Sequence, residues 1–495
     1  MRNSHNTIID LLDHNASSHQ DNPALIFEGH SYAHATLYKA VQIQAAALHA
    51  AGVRRGDRVL VVSGNRPEVL VLLGGVAWLG AMLVPLNLRL SPAEIAQQAR
   101  DASPALVIVD AGCSSLWAAA WPNGMAGVPL EILADPVNGS LGCVGQSQEA
   151  HVPRQDAPDL GVIMLYTAAV EGYARGAVLS QAQMRASAIQ TGGAWSLGVH
   201  DRWLGVLPLF HAAGIGLALA LLEVGGACMI LPRFDPVAAV SAVARHRITV
   251  CATFAPMLGA LLDAATQNPG GEASLASLRV CMGLEPPEVL DRLATLCPAA
   301  KFWSAYGQAE VSSMVCLGLQ SERPGAAGRP IAPTEVRVQD AAGRALAVGL
   351  EGEIGVRGPT VFLGYWEPET KRPLKPADPW HRTGDLGRID EDGWLWFIGR
   401  AAHKQLIKTG GENVYPAEVE QVLLEHPAVV EAFVFGHPDD KWGEVVHAVC
   451  ALKPGATVQE AELLQFVATR IARYKTPKQV VYRPSPLMRT APKVA

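Results

Sequence analysis

Charge is scarce in this chain. Only 17% of residues are Asp, Glu, Lys or Arg, and the 40 basic ones are spread thinly around a net charge of −6. No basic run or stripe exists that could neutralise a nucleic-acid backbone, so no nucleic-acid partner is expected. Disulfide and zinc signatures are missing too. The eight cysteines, at 113, 143, 228, 251, 281, 297, 316 and 450, form no Cys-x-x-Cys pair, and several lie in apolar runs. Reduced, buried thiols of a cytoplasmic protein are expected. The first residues, MRNSHNTIIDLLDHNA, lack the apolar stretch of an export signal.

A transmembrane segment is not expected either. The uncharged stretches 69–86 and 203–222 are long enough to span. However, Gly74, Gly75 and Pro85 interrupt the first, and Pro208 and His211 the second. Helix–strand pairs fit both better. What remains is a globular composition, 49% apolar over 495 residues, too long for one core.

Short apolar runs alternate with helical patterns through the first half. Residues 58–64 read as a buried strand, 67–81 as a helix, 82–87 as a strand, 91–102 as a helix opened by Ser91 and Pro92, and 104–110 as another strand. The rhythm returns from 160 to 310, with strands at 248–256 and 278–283. It predicts doubly wound α/β sheets. After 325, alternating strands broken by glycines and by Asp392-Gly393 predict a small β-rich subdomain. From 404 a separate α+β module is expected, with helices at 416–427 and 460–474. The division is therefore 1–403 for a large N-terminal domain and 404–495 for a small, mobile C-terminal one.

Four segments carry chemistry. They are Trp380–Arg400 (WHRTGDLGRIDEDGWLWFIGR), Trp303–Ser312 (WSAYGQAEVS), Leu207–Ile215 (LPLFHAAGI) and Ile407–Glu420 (IKTGGENVYPAEVE). Their order and spacing resemble the acyl-CoA synthetases of the AMP-binding, adenylate-forming superfamily, and the resemblance covers nearly the whole chain. It implies an ATP-dependent acid–thiol ligase that forms an acyl-CoA through an acyl-adenylate, using ATP, Mg2+ and CoA. By that resemblance Asp385 holds the ribose hydroxyls and Arg400 the nucleotide. Tyr306 and Gly307 face the adenine with Gly283 and Glu285 of MGLEPP, Glu310 ligates Mg2+, and His211 borders the acyl tunnel. Gly410 and Gly411 line the CoA channel, Lys408 acts in the thioester-forming conformation, and Lys404-Gln405 is the hinge.

Two segments depart from the family pattern. The phosphate loop reads Tyr166-Thr167-Ala168-Ala169-Val170-Glu171-Gly172-Tyr173-Ala174-Arg175-Gly176. Thr167, Gly172 and Arg175 are retained for ATP, but three hydroxyls are lost. Glu171 adds a charge that would repel a phosphate about 4 Å away by roughly 4 kcal/mol at an effective dielectric near 20. The tail Met488–Ala495 offers Lys493 as the lysine that bridges carboxylate and α-phosphate. The expected acid is fatty or medium-chain, with an aromatic acid as the alternative. A nucleotide-binding protein without efficient adenylation and a carrier-loading adenylation domain are the other functions left open. A homodimer is compatible with all of these.

Overall fold

The computed structural model describes residues 6–133, 141–142, 152–167, 174–267, 274–374, 377–401, 406–410, 412–439 and 442–484. An eight-stranded sheet runs in the spatial order Arg372–Leu374, Gly364–Glu367, Arg175–Ser180, Gly161–Thr167, Met82–Pro85, Arg58–Val62, Leu106–Asp110, Leu130–Leu133. From Gly161–Thr167 to Leu130–Leu133 every pair is parallel, as the alternating pattern predicts. The pair Gly161–Thr167 with Arg175–Ser180 is antiparallel. The connection between those two strands is too short for a crossover helix, which forces the reversal.

A nine-stranded sheet packs against the first. Its parallel centre contains Arg202–Gly205, Val250–Ala252, Val280–Met282 and Lys301–Gln308. The two uncharged stretches resolve as expected. Helix Pro67–Leu79 leads into strand Met82–Pro85, and strand Arg202–Gly205 leads into helix Ala212–Glu223. Both helices are apolar all round and lie almost wholly buried between the sheets, sharing one core with both. Among the described residues no helix is long and apolar enough to cross a membrane.

Strands Glu335–Gln339, Gly352–Arg357, His381–Ile389 and Leu395–Arg400 form the β-rich subdomain, antiparallel throughout. The small C-terminal domain has its own five-stranded sheet and its own core, which includes Val419, Val434, Val446 and Leu463. Its second helix, expected to run to Tyr474, ends at Ala468 and gives way to a short 3-10 turn, Arg473–Lys475. The expected hinge, Lys404-Gln405, lies outside the described residues.

Candidate functional site

Asp385 is the best-enclosed acid of the site. Strands His381–Ile389 and Leu395–Arg400 form a hairpin in which Asp385 pairs directly opposite Arg400. Asp385 Oδ2 accepts hydrogen bonds from the Tyr306 hydroxyl at 2.8 Å and from Gln308 Nε2 at 2.6 Å. Oδ1 is buried 3.6 Å from Arg400 Nη1 and makes no hydrogen bond among the described residues. A buried carboxylate oxygen held in place and left unsatisfied suits a polyhydroxyl ligand. The turn is fixed from below. Thr383 donates to the Ile354 carbonyl and accepts from the Asp385 amide, while the Gly384 amide donates to Glu353. Burial and the Asp385 charge push the Tyr306 phenol pKa well up, so it remains a neutral donor. Gln308, which also donates to the Thr383 carbonyl, is not visible to sequence reasoning, because it occupies the variable position between Gly307 and Glu310.

Glu310 sits on a short 3-10 turn after Lys301–Gln308 and is buried. Tyr365 donates to its Oε1 at 2.8 Å, and the Arg175 guanidinium stacks 3.9 Å over the Tyr365 ring. One aromatic ring therefore sets the spacing between a cation and a carboxylate, and Tyr365 is a second residue the motifs do not reveal. An oriented, buried carboxylate oxygen is a hard donor of the kind Mg2+ prefers, so the group fits that ion. Thr167, at the end of its strand, donates to the Arg175 carbonyl at 3.3 Å. Gly172, with residues 168–171 and 173, lies outside the described residues.

Gly283 follows strand Val280–Met282, where an added Cβ would stand 2.2 Å from the Thr253 carbonyl oxygen. Only glycine allows that approach. Gly307 is tighter still, since a Cβ there would stand 1.6 Å from the Ser313 carbonyl oxygen. Glu285 Oε1 accepts from the Thr253 hydroxyl at 3.2 Å, while Oε2 is buried without a hydrogen bond among the described residues. Burial pushes the Glu285 pKa up to about 7, against the opposing Thr253 hydroxyl and Leu258 amide. The folded state therefore binds more protons than the unfolded one between the ordinary value of 4.5 and about 7. Stability is lost as pH rises through that window. Glu285→Gln is expected to remove this loss, raising Tm at pH 8 while changing it little at pH 4.5. Melts of both proteins at the two pH values check this.

His211 stands at the N-terminal boundary of helix Ala212–Glu223, its side chain making no capping bond. Asn65 fixes the turn that leads to it, donating to the Leu207 carbonyl at 3.0 Å and accepting from the Leu209 amide at 2.9 Å. His211 Nε2 lies 3.4 Å from Glu412 Oε1. Glu412 belongs to the small domain, in the hairpin of strands Ile407–Thr409 and Glu412–Val414. Its carboxylate also accepts from Asn87 at 3.0 Å and Arg89 at 2.9 Å. Burial would raise its pKa, but His211, Arg89 and Asn87 together hold it below the ordinary value.

The same hairpin brings Lys408 toward Arg400 and Asp385. The Lys408 side chain itself is exposed. Desolvation and the Arg400 charge pull its pKa down, against Asp385 and Glu444. A side chain in a concave site can reach water and still have many protein atoms within electrostatic range. Gly410, at φ +56°, turns the hairpin against Trp442, whose carbonyl accepts from the Gly410 amide. Asp385, Tyr306, Gln308 and Arg400 thus form one group and Glu310, Tyr365 and Arg175 another, while the hairpin that carries Lys408 meets His211 through Glu412. Gly411 and Lys493 lie outside the described residues.

Residues 12–366 match the AMP-binding enzyme family, and residues 418–492 the AMP-binding enzyme C-terminal domain. A 2-succinylbenzoate–CoA ligase of Bacillus cereus is 32% identical over 440 residues, covering 87% of this chain and 85% of its own. An indoleacetate–CoA ligase of Aromatoleum aromaticum is 32% identical over 478 residues, covering 95% and 93%. A doubly substituted o-succinylbenzoate CoA synthetase from Bacillus subtilis, bound with its product analogue OSB-NCoA, superposes at a TM-score of 0.82 with 28% identity, covering 96% and 94%. The same enzyme in complex with ATP and magnesium ion gives 0.69 with 27% identity, covering 96% and 95%. The chain belongs to the AMP-binding enzyme family, among the AMP-forming acid–CoA ligases of the adenylate-forming superfamily.

Proposed function

We propose that this enzyme joins an aromatic carboxylic acid to CoA, and that the domains stand in the arrangement used for thiol transfer. The observation that carries the second part is Glu412 of the small domain seated on Asn87, Arg89 and His211, in the hairpin that also carries Lys408. The overlay supports it. One and the same relative fits better in its product-analogue complex than in its ATP complex, 0.82 against 0.69. The aromatic class rests on the acids of the two relatives, 2-succinylbenzoate and indoleacetate, and is preferred on that ground to the fatty or medium-chain acid expected first.

In the first half-reaction the acid's carboxylate oxygen attacks the α-phosphorus of ATP, and pyrophosphate leaves. The nucleophile is already an anion, so no general base is required. The chain's task is alignment and charge neutralisation. Asp385 and Arg400 fix the nucleoside, Arg175 and Thr167 face the phosphates, and Lys493 bridges carboxylate and phosphate. Glu310 would hold Mg2+, which when bound would supply further neutralisation of the phosphates. In the second half-reaction the small domain turns about residues 404–405, and Lys408 replaces Lys493. The CoA sulfur then attacks the acyl carbonyl, AMP departs, and the thiol proton goes to solvent.

The test is pyrophosphate release and CoA-thioester formation over a panel of arylalkanoic, benzoic and straight-chain acids from six to sixteen carbons. Arylalkanoic or benzoic acids are expected to give the highest kcat/KM. Preference for straight-chain acids would overturn the aromatic assignment. No release with any acid, alongside measurable AMP binding, would make the chain a nucleotide-binding protein rather than a working ligase.

A further inference from the structure

The two domains meet at a second place, away from the reacting groups. Lys475 of the small domain is almost fully enclosed between two carboxylates, with Nζ 2.6 Å from Glu94 Oε1 and 2.6 Å from Glu418 Oε2. Glu418 is in the small domain, on helix Pro416–Leu424. Glu94 is in the large domain, in the first turn of helix Pro92–Ala102. There it closes a capping box with Ser91, the Ser91 amide donating to Glu94 Oε2 at 2.8 Å. The small domain uses the same box. The Ala472 amide donates to Glu94 Oε2 at 2.8 Å, and the Ser91 hydroxyl donates to the Arg470 carbonyl at 3.0 Å. These backbone contacts also explain why the preceding helix stops at Ala468.

We propose that Glu94 is a positioning residue for thiol transfer: through Lys475 and the Ala472 amide it holds the small domain in the arrangement that sets Lys408 and Glu412 against the large domain's site. The inference rests on the reading of this arrangement as the thiol-transfer state. The charge pattern is suited to a reversible contact. When the small domain turns away, Lys475 keeps Glu418 as a partner and Glu94 keeps its capping bond to Ser91. Neither charge is stranded in a buried position, which would otherwise be severely destabilising. The contact therefore contributes differential free energy between two domain arrangements, as a conformational bias requires. Glu94 also lies on the same short segment as Asn87 and Arg89, so one stretch, 87–94, meets the small domain both at Glu412 and at Lys475.

Glu94→Gln isolates the charge from the cap. Glutamine closes the same box elsewhere in this chain, where the Ser180 amide donates to Gln183 Oε1 at 2.8 Å, so helix Pro92–Ala102 should keep its start. In the full-length variant, conversion of preformed acyl-adenylate by CoA is expected to slow about tenfold, while ATP–pyrophosphate exchange stays within twofold of the parent or rises. Glu94→Asp should recover part of the loss. An equal fall in both half-reactions with a lowered Tm would mean a structural role only, and no change in either would mean the contact biases nothing; both overturn the proposal. A measurement independent of turnover uses nitroxide labels at the exposed positions Val348 and Leu424. The parent is expected to populate the distance of this arrangement, and Glu94→Gln to deplete it about tenfold. Unchanged distances would overturn the proposal even if the enzyme turned over no tested acid, and that inactivity would count against the functional reading instead.

Discussion

Asp385→Asn is expected to lower kcat/KM for ATP by two orders of magnitude or more, with a parallel loss of AMP affinity. The carboxylate has one oxygen committed to Tyr306 and Gln308 and one buried beside Arg400 without a hydrogen bond. A ribose with two hydroxyls would donate to an anionic acceptor, and charge-assisted hydrogen bonds contribute roughly 1.5–3 kcal/mol each. Two of them correspond to a factor of about a hundred to ten thousand. Asparagine has nearly the same shape but presents an N–H₂ group where an acceptor is needed. Placed toward Tyr306 it meets two donors, and placed toward Arg400 it meets a cation and the ribose. Calorimetric titration with AMP separates binding from chemistry, and a melt reports how much stability the buried network contributed. AMP affinity within twofold of the parent would rule out Asp385 as the nucleoside's anchor.

The Asp385–Arg400 pair shows why part of this site is legible in the sequence alone. Asp392-Gly393 between them marks the hairpin turn, and a register shift between Leu386 and Gly387 completes the pairing of Asp385 with Arg400. The strands at 58–62 and 106–110 are equally plain, because a strand buried on both faces is written as a continuous apolar run. Gln308 and Tyr365 are not legible. Each acts by reaching a partner 55 or more residues away, Asp385 for one and Glu310 for the other, and spacing along the chain carries no trace of such contacts. The docking of Glu412 on Asn87 is more remote still, at a separation of 325 residues. The helix expected over 460–474 is too long for the same reason. Its apolar periodicity continues past Ala468, but the backbone at 470–472 is drawn away to bond with Ser91 and Glu94. Local pattern yields there to a contact made across the domain boundary.

Lys408→Ala is expected to slow the CoA-dependent step about a hundredfold and to leave ATP–pyrophosphate exchange within twofold. Lys408 lies within electrostatic range of Arg400 and Asp385, on the hairpin whose Glu412 meets His211 of the large domain. In the arrangement proposed for thiol transfer its charge is available to that step. Removing a preorganised charge donor from an active site commonly lowers a rate by about a hundred- to a thousandfold. Lys493→Ala should give the mirror image, with exchange depressed and single-turnover thiolysis of added acyl-adenylate retained. The pH dependence supplies a finer check. Desolvation and Arg400 depress the Lys408 pKa below its ordinary 10.5, so the ammonium is lost at lower pH than a surface lysine would lose it. The CoA step should accordingly fall on the alkaline side at a pH below that value, while Lys408→Arg, which stays charged, should retain part of the rate and lose that limb. Equal damage to both half-reactions by Lys408→Ala would show that one lysine serves both, and the exchange of lysines between domain arrangements would have to be abandoned.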